Sequence, residues 1–169
     1  MQTTFTNGLG VSFFGKGVTP GMPAHVANGG TRTIGGTIAA SNTNVAKFGC
    51  ALFVDPTKPS EFIVGPTASA TLFRGILMNR NMVNQQMPAH ADFILNETPA
   101  DAFYQGAIYV EVAGTVKVGD AVYAKADGSL TNVSSGNTAI NGIVKNTTHQ
   151  QTFTWFTLTV SSKEMENEN

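Results

Sequence analysis

Apolar residues in this chain come in short runs bounded by Gly, Pro or Asn. Segments 47–54, 61–64, 72–78, 107–112 and 121–124 are each rich in Val, Ile, Leu or aromatics, which predicts strands. The first of them ends on Asp55-Pro56, a turn signal. Asp127-Gly128 stands between Val122/Tyr123 and Leu130/Val133. That predicts a hairpin with a type I′ turn, whose two central residues need positive φ. In 153–160, Phe156, Leu158 and Val160 alternate with Thr157 and Thr159, while Phe153 and Trp155 fall on the Thr face, so both faces are expected to be partly covered. One helical candidate remains, a turn at 99–105 with Thr98 as cap and Pro99 at its first position.

The ends differ from the middle. Residues 1–36 hold 9 of the 18 glycines together with Pro20 and Pro23. Such a mixture opposes helix and weakens regular strand, so an extended N-terminal arm is expected, with short strands at most around 11–14 and 33–38. Residues 163–169 carry three of the eleven acids and read as a flexible acidic tail. The β domain is expected over 37–162.

Within it the sequence echoes itself. Lys47-Phe48-Gly49-Cys50-Ala51-Leu52-Phe53 matches Lys117-Val118-Gly119-Asp120-Ala121-Val122-Tyr123 at an offset of 70, and Phe73-Arg74-Gly75-Ile76-Leu77 resembles Ile140-Asn141-Gly142-Ile143-Val144 at 67. Met22-Pro23-Ala24-His25 recurs as Met87-Pro88-Ala89-His90 at 65. Two readings stand: duplication of one β-module, with copies at about 37–86 and 87–162, or hairpins converging on Gly-x-Ala-Val spacing. Two copies are too few for a solenoid. The expected fold is all-β, a β-sandwich or partly closed β-barrel built from two related hairpin modules.

Composition supports strands. Charged residues are 12% of the chain, about half of the usual ~25%, and Thr and Asn stand where a helical surface would carry Lys and Glu. A net charge of −1 gives no general attraction to nucleic acid or to an anionic membrane. No 18-residue apolar run exists to span a bilayer. Met1-Gln2-Thr3-Thr4-Phe5 has neither the basic nor the apolar region of a signal peptide. The protein is therefore expected to be made in the cytosol and to work there, or to leave by lysis or as part of a particle. Cys50 is the sole cysteine, so no intrachain disulfide or Cys-based zinc site is possible.

The search for chemistry returns little. Gly10-Val11-Ser12-Phe13-Phe14-Gly15-Lys16 fits the start of a phosphate-binding loop, but Gly17 replaces the Ser or Thr that holds magnesium, and no strand–loop–helix context surrounds it. There is no Gly-x-Ser-x-Gly elbow. His25, His90 and His149 are far apart and read as loop residues, not metal ligands. Cys50, inside an apolar run, reads as a buried, inert thiol. Asp55, Asp120 and Asp127 fall at turns, where Asp bonds nearby backbone, and nothing selects a carboxylate pair for glycoside hydrolysis. Sequons at Asn96, Asn132 and Asn146 read as accidental. Phe (11) outnumbers Tyr (3) and Trp (1), which suits a β core better than a stacking surface. No catalysis, cofactor or metal is expected.

From 47 to 160 the order of features resembles the capsid cement (decoration) proteins of tailed bacteriophages. The motifs are a Gly-x-Ala-Leu strand at 49–53, an Arg-Gly-Ile strand at 74–77, a Tyr-x-Gly stretch at 104–112, Val-x-x-Gly-Asp-x-Val-Tyr with its Gly hairpin at 116–131, a Thr-Ala-x-x-Gly strand at 138–144 and a closing strand at 153–160. The resemblance implies a structural protein in the virion, on the outer capsid surface, that binds the major capsid protein and stabilises the shell against internal DNA pressure. It also implies self-association as a homotrimer or capsid-bound cluster, with no enzyme activity. Independently of it, Gly/Pro-rich arms can add a strand to a neighbour's sheet edge. Phe5, Phe13, Phe14, Lys16 and Arg32 are the capsid-contact candidates on the arm, the aromatics either anchoring on a neighbour or folding back on their own barrel. The alternative function is a carbohydrate-binding β-sandwich of a phage tail or surface structure, its groove lined by Tyr104, Tyr109, Tyr123 and Trp155.

Overall fold

A computed structural model describes residues 20–23, 32–79, 92–147 and 153–159, with backbone only for 145–147 and 153–159. Eleven strands follow in chain order: β1 (Arg32–Ile38), β2 (Ala46–Lys47), β3 (Ala51–Asp55), β4 (Lys58–Val64), β5 (Phe73–Leu77), β6 (Phe93–Ile94), β7 (Pro99–Ala113), β8 (Ala121–Ala124), β9 (Leu130–Thr131), β10 (Thr138–Thr147) and β11 (Phe153–Thr159). Among the described residues there is no helix. The all-β expectation holds. β1 covers the strand expected at 33–38 and runs across the end of the segment read as an arm.

Three local expectations are corrected. The expected helical turn at 99–105 is the first half of the 15-residue strand β7. Pro99 can open a strand because its missing N–H is tolerated at a first position. The Thr98 carbonyl accepts from Ile38 N at 3.1 Å, and pairing with β1 on one edge and β5 on the other outweighs any capping signal. The run 47–54 is broken, since Gly49 at φ 86° turns the chain between β2 and β3. The hairpin at Asp127-Gly128 exists, but of the two only Gly128 (φ 83°) has positive φ. Gly128 N donates to Lys125 O at 2.9 Å and Lys125 N to Ser129 O at 2.8 Å. That is a type I turn closed by a glycine bulge, not type I′.

Nine strands form one sheet in the order β1-β4-β3-β5-β7-β11-β10-β8-β9, and β2 pairs with β6 in a small second sheet. Two further pairings, β1–β7 and β7–β9, curl the large sheet into two circuits that share β7. The first half of β7 pairs with β1 and β5; the second half pairs with β11 and β9. The result is a partly ringed mixed sheet, not a single clean barrel.

The two circuits correspond pair by pair. Leu52 faces Gly75 and Phe53 faces Ile63 in the first; Val122 faces Gly142 and Tyr123 faces Thr131 in the second. The one parallel contact in each sets Ile38 opposite Phe62 and Val112 opposite Leu130. Ile34 opposite Ala102 is matched by Ile108 opposite Phe156, and Ile76 opposite Phe103 by Ile143 opposite Thr157. Hydrogen bonds repeat as well: Gly49 N to Leu77 O (2.9 Å) and Gly119 N to Val144 O (2.8 Å), Leu77 N to Cys50 O and Val144 N to Asp120 O (both 2.9 Å). The echoes 47–53/117–123 and 73–77/140–144 thus contain the strands that pair with one another, in one register, twice, while 24–25 and 87–90 of the third lie outside the described residues.

Side chains on alternate positions fill the interiors. Ile38, Leu52, Phe62, Val64, Leu77, Ala100 and Ala102 form one buried cluster inside the first circuit. A second cluster joins the inside of the other circuit (Ile108, Val112, Val122, Leu130, Val144) to the outer face of the first (Ala51, Phe53, Phe73, Ile76, Phe103). Phe53 and Phe73 meet edge to face, centroids 5.6 Å apart, a favoured aromatic geometry. This shared cluster fastens the circuits together.

Backbone contact tightens the joint. Ala51 N donates to Gly128 O at 2.8 Å, and Asn44 Nδ2 donates to Ala126 O at 3.0 Å. Gly65 (φ 78°) lies so close to the 125–129 hairpin that a Cβ there would strike the Ala126 carbonyl and come within 2.7 Å of Gly128 N. Buried Asn42 organises the neighbouring loop. Its Oδ1 accepts from Val64 N (3.0 Å), and its Nδ2 donates to Asn44 O (2.7 Å) and Asn96 Oδ1 (3.0 Å).

Candidate functional site

Four titratable groups, Cys50, Asp55, Asp120 and Asp127, are bound into structure. Burial pushes the Cys50 thiol up to about 12, which leaves it protonated and unreactive at neutral pH. Asp55 Oδ1 accepts from Thr57 Oγ1 (2.7 Å) and Thr57 N (2.8 Å), and those bonds hold its carboxyl below the ordinary range. Asp127 is lowered in the same way by Ser129. Asp120 is lowered by Lys117 N, then by Asn132 Nδ2 at 3.1 Å. Each aspartate staples its own turn, as its sequence position suggested. Among the described residues no group of three or more His, Cys, Asp or Glu could hold a metal ion. His25, His90, His149 and the 10–16 loop lie outside the described residues, as do Phe5, Phe13, Phe14 and Lys16.

Arg32, the remaining candidate, opens β1 opposite Gln105 and is exposed. Tyr104 and Tyr109 are half-buried on β7 and Tyr123 is half-buried on β8; the Trp155 side chain lies outside the description. Two of the three sequon asparagines are employed internally: Asn96 Nδ2 donates to Asn42 O at 2.7 Å and Asn132 Nδ2 to Thr115 O at 3.0 Å, while the Asn146 side chain lies outside the description.

What the structure presents instead is apolar surface, one set on the β2–β6 sheet and one on the second circuit. In the small sheet, Ala46 pairs with Ile94 and Lys47 with Phe93. Ala46 and Ile94 turn inward to the first circuit's cluster. Side chains alternate across a strand, so Val45 (57% exposed), Phe93 (40%) and Leu95 (67%) stand outward beside Lys47. On the second circuit Val118, Val133 and Ile143 are exposed. Ile143 is the counterpart of Ile76, which is completely buried, and exposed Ala121 is the counterpart of buried Ala51. The face that the second circuit covers on the first is therefore open on the second. Sequence reading missed both sets, because single apolar residues near turns give no signal until register fixes the side they face.

Residues 20–22 are fastened to β7, Asn79 and Gly49. Gly21 N donates to Tyr109 O (2.7 Å), Tyr109 N to Met22 O (2.9 Å) and Asn79 N to Gly21 O (2.9 Å). Pro20 packs on Gly49, where an added Cβ would lie 2.8 Å from the proline's own.

Comparison with known proteins accords with this arrangement. No curated protein sequence matches. Among solved structures, the fold is similar to a chain in the capsid of Myoviridae phage XM1, with a TM-score of 0.60 and 14% identity over 84% of this chain and 90% of that one. Residues 11–159 match the family described as structural cement protein (E217 gp24/Pam3 gp6). The chain belongs to that family of structural cement proteins.

Proposed function

We propose that the protein sits on the outer surface of a tailed-phage head and bridges neighbouring major capsid subunits, stabilising the shell against the pressure of packaged DNA. One observation carries this reading beyond family membership: a body whose circuits share β7 and a common core exposes one apolar set on its β2–β6 sheet and another on the second circuit. A body with two apolar surfaces can join two subunits. Contiguous exposed apolar surface marks interaction sites. Residues of the arm, Phe5, Phe13, Phe14, Lys16 and Arg32, add contacts to a neighbouring subunit, and self-association into a trimer or capsid-bound cluster would multiply them. No catalytic step, nucleic acid or membrane enters this function, and the protein is made in the host cytoplasm before it joins the particle.

The mechanism is linkage. A protein that binds only where two subunits meet stabilises the assembled state alone, by about 4 kcal/mol per site at a thousandfold excess over its Kd. The test is to rebind the purified chain to heads stripped of it and follow DNA release on heating. Release at a higher temperature with the protein bound is expected, and the gain should shrink with the Val118→Asp/Ile143→Asp variant. Unchanged release temperature at saturating occupancy would overturn the proposal.

A further inference from the structure

We propose that the β2–β6 sheet takes a third strand, an extended segment of a capsid subunit that pairs with the outer edge of β6. The open edge follows from the register. Ala46 pairs with Ile94, and Phe48 N donates to Asp92 O at 2.9 Å, so the Ile94 N–H and C=O face Ala46, as alternate residues of an antiparallel pair do. Each peptide unit is planar and trans, with its N–H opposite its C=O. The Phe93 N–H, the Phe93 C=O and the Leu95 N–H therefore point away from β2. No further strand joins this sheet among the described residues, and none of the three groups has a hydrogen-bond partner there. The outer edge of β2 differs: Lys47 N donates to Val45 O (3.0 Å) and Lys47 O accepts from Cys50 N (3.1 Å). One edge of the small sheet is closed by its own chain and the other is open.

Proteins ordinarily guard an edge strand with Lys, Pro or a bulge. β6 is Phe93-Ile94, with none of these. Beside its open backbone stand the exposed side chains of Phe93 and Leu95, with Val45 on the same face. An added strand would bond the three free groups and lay every second side chain on that face. In this mode main-chain bonds supply affinity and side-chain contacts select the segment. Charge narrows the occupant. Exposed Asp92 and Glu97 flank β6, and Lys47 lies across the sheet on β2. Antiparallel pairing of two β6 edges would set the acids of one copy beside those of the other, and like charges across strands destabilise, so a second copy is the poorer fit. The segment expected is extended, apolar at alternate positions, and carries Lys or Arg next to them. This contact rests on the capsid-binding reading and gives one of its two apolar sets a partner of defined chemistry.

Amide hydrogen exchange of the full chain, free and bound to heads stripped of it, tests the pairing residue by residue. In the free protein the Phe93 and Leu95 amides should exchange quickly and that of Phe48 slowly. On heads, Phe93 and Leu95 should slow by roughly tenfold or more, with Phe48 unchanged. Leu95→Pro removes one donor at an edge, where proline is tolerated; it should weaken binding to heads severalfold more than Leu95→Thr, which keeps that donor. The wild-type exchange decides alone if Leu95→Pro does not fold. Head-bound protein whose Phe93 and Leu95 amides still exchange freely would overturn the added strand and leave capsid binding standing. A chain that binds no head would overturn the capsid-binding reading and this contact with it. Protection of the two amides in the free protein, constant or rising with concentration, would also overturn the proposal, because the edge would then be held by the chain itself or by a second copy.

Discussion

Replacing Gly65 by alanine tests whether the two circuits are locked together by backbone contact. Two costs arise at this position. Its φ of 78° lies in the left-handed region, which costs a residue with a Cβ roughly 1–2 kcal/mol; lower freedom of the unfolded chain returns about 0.4–1 kcal/mol. The added methyl would also meet Ala126 O and Gly128 N, both backbone atoms that cannot rotate away. Overpacking of this kind costs typically about 1–3 kcal/mol. Gly136 is the control, because its φ is 73° but nothing lies within 4 Å of its added Cβ. Gly136→Ala should therefore cost about 1 kcal/mol and Gly65→Ala about 3 kcal/mol. At roughly 2–4 °C per kcal/mol for a chain of this size, the melting temperature should fall by about 2–4 °C in the control and about 6–12 °C in Gly65→Ala. Circular dichroism melts of the two variants beside wild type provide the assay. Equal losses would refute the joint as described. The counterpart of Gly65 in the second circuit is Val133, which is exposed, consistent with a position over which no hairpin sits.

Further outcomes follow from the same structure. Asn42→Ala leaves the buried Val64 N–H without its acceptor, which should cost about 1–3 kcal/mol in urea unfolding, whereas Asn137→Ala on the exposed 133–137 turn should cost much less. Cys50 should resist a thiol reagent at pH 8 in the native protein and react fully in denaturant, and its raised pKa should lower stability as pH rises above about 8.5, where the unfolded thiol ionises first. Asp55, Asp120 and Asp127 are all lowered, so their contribution is present above the ordinary carboxylate value of about 3.9 and is lost as pH falls through it toward the folded values. Thermal melts should accordingly hold level from pH 5 to 8 and decline below pH 4, and a melting temperature that rises on acidification would contradict the turn assignments.

The doubled architecture was legible in the sequence where backbone geometry leaves little choice. Gly49 and Gly119 both need positive φ (86° and 96°) to turn into β3 and β8, and the small or apolar residues that follow must alternate to reach the core. That is why the echo at offset 70 survives while the surrounding sequence does not. β7 was not legible as one strand. Thr98-Pro99 imitates a helix start, and only pairing with β1 and β5 makes 99–105 extended. The turn at 125–129 could not be typed from Asp127-Gly128 alone, because the dipeptide serves both a type I′ turn and a glycine bulge. The apolar sets were hidden for a different reason: Val45 and Leu95 are remote in sequence and join only through the β2–β6 register. Of the arm candidates, Arg32 alone falls within the described residues.

The central claim is a link between capsid subunits on the outside of a head. A cryo-electron microscopy map of the intact particle measures it most directly. The account expects this chain on the outer surface, spanning the junction of at least two major capsid subunits, with one of its apolar sets at each contact. Density confined to a single subunit, to the inner surface, or absent from the head altogether would contradict it.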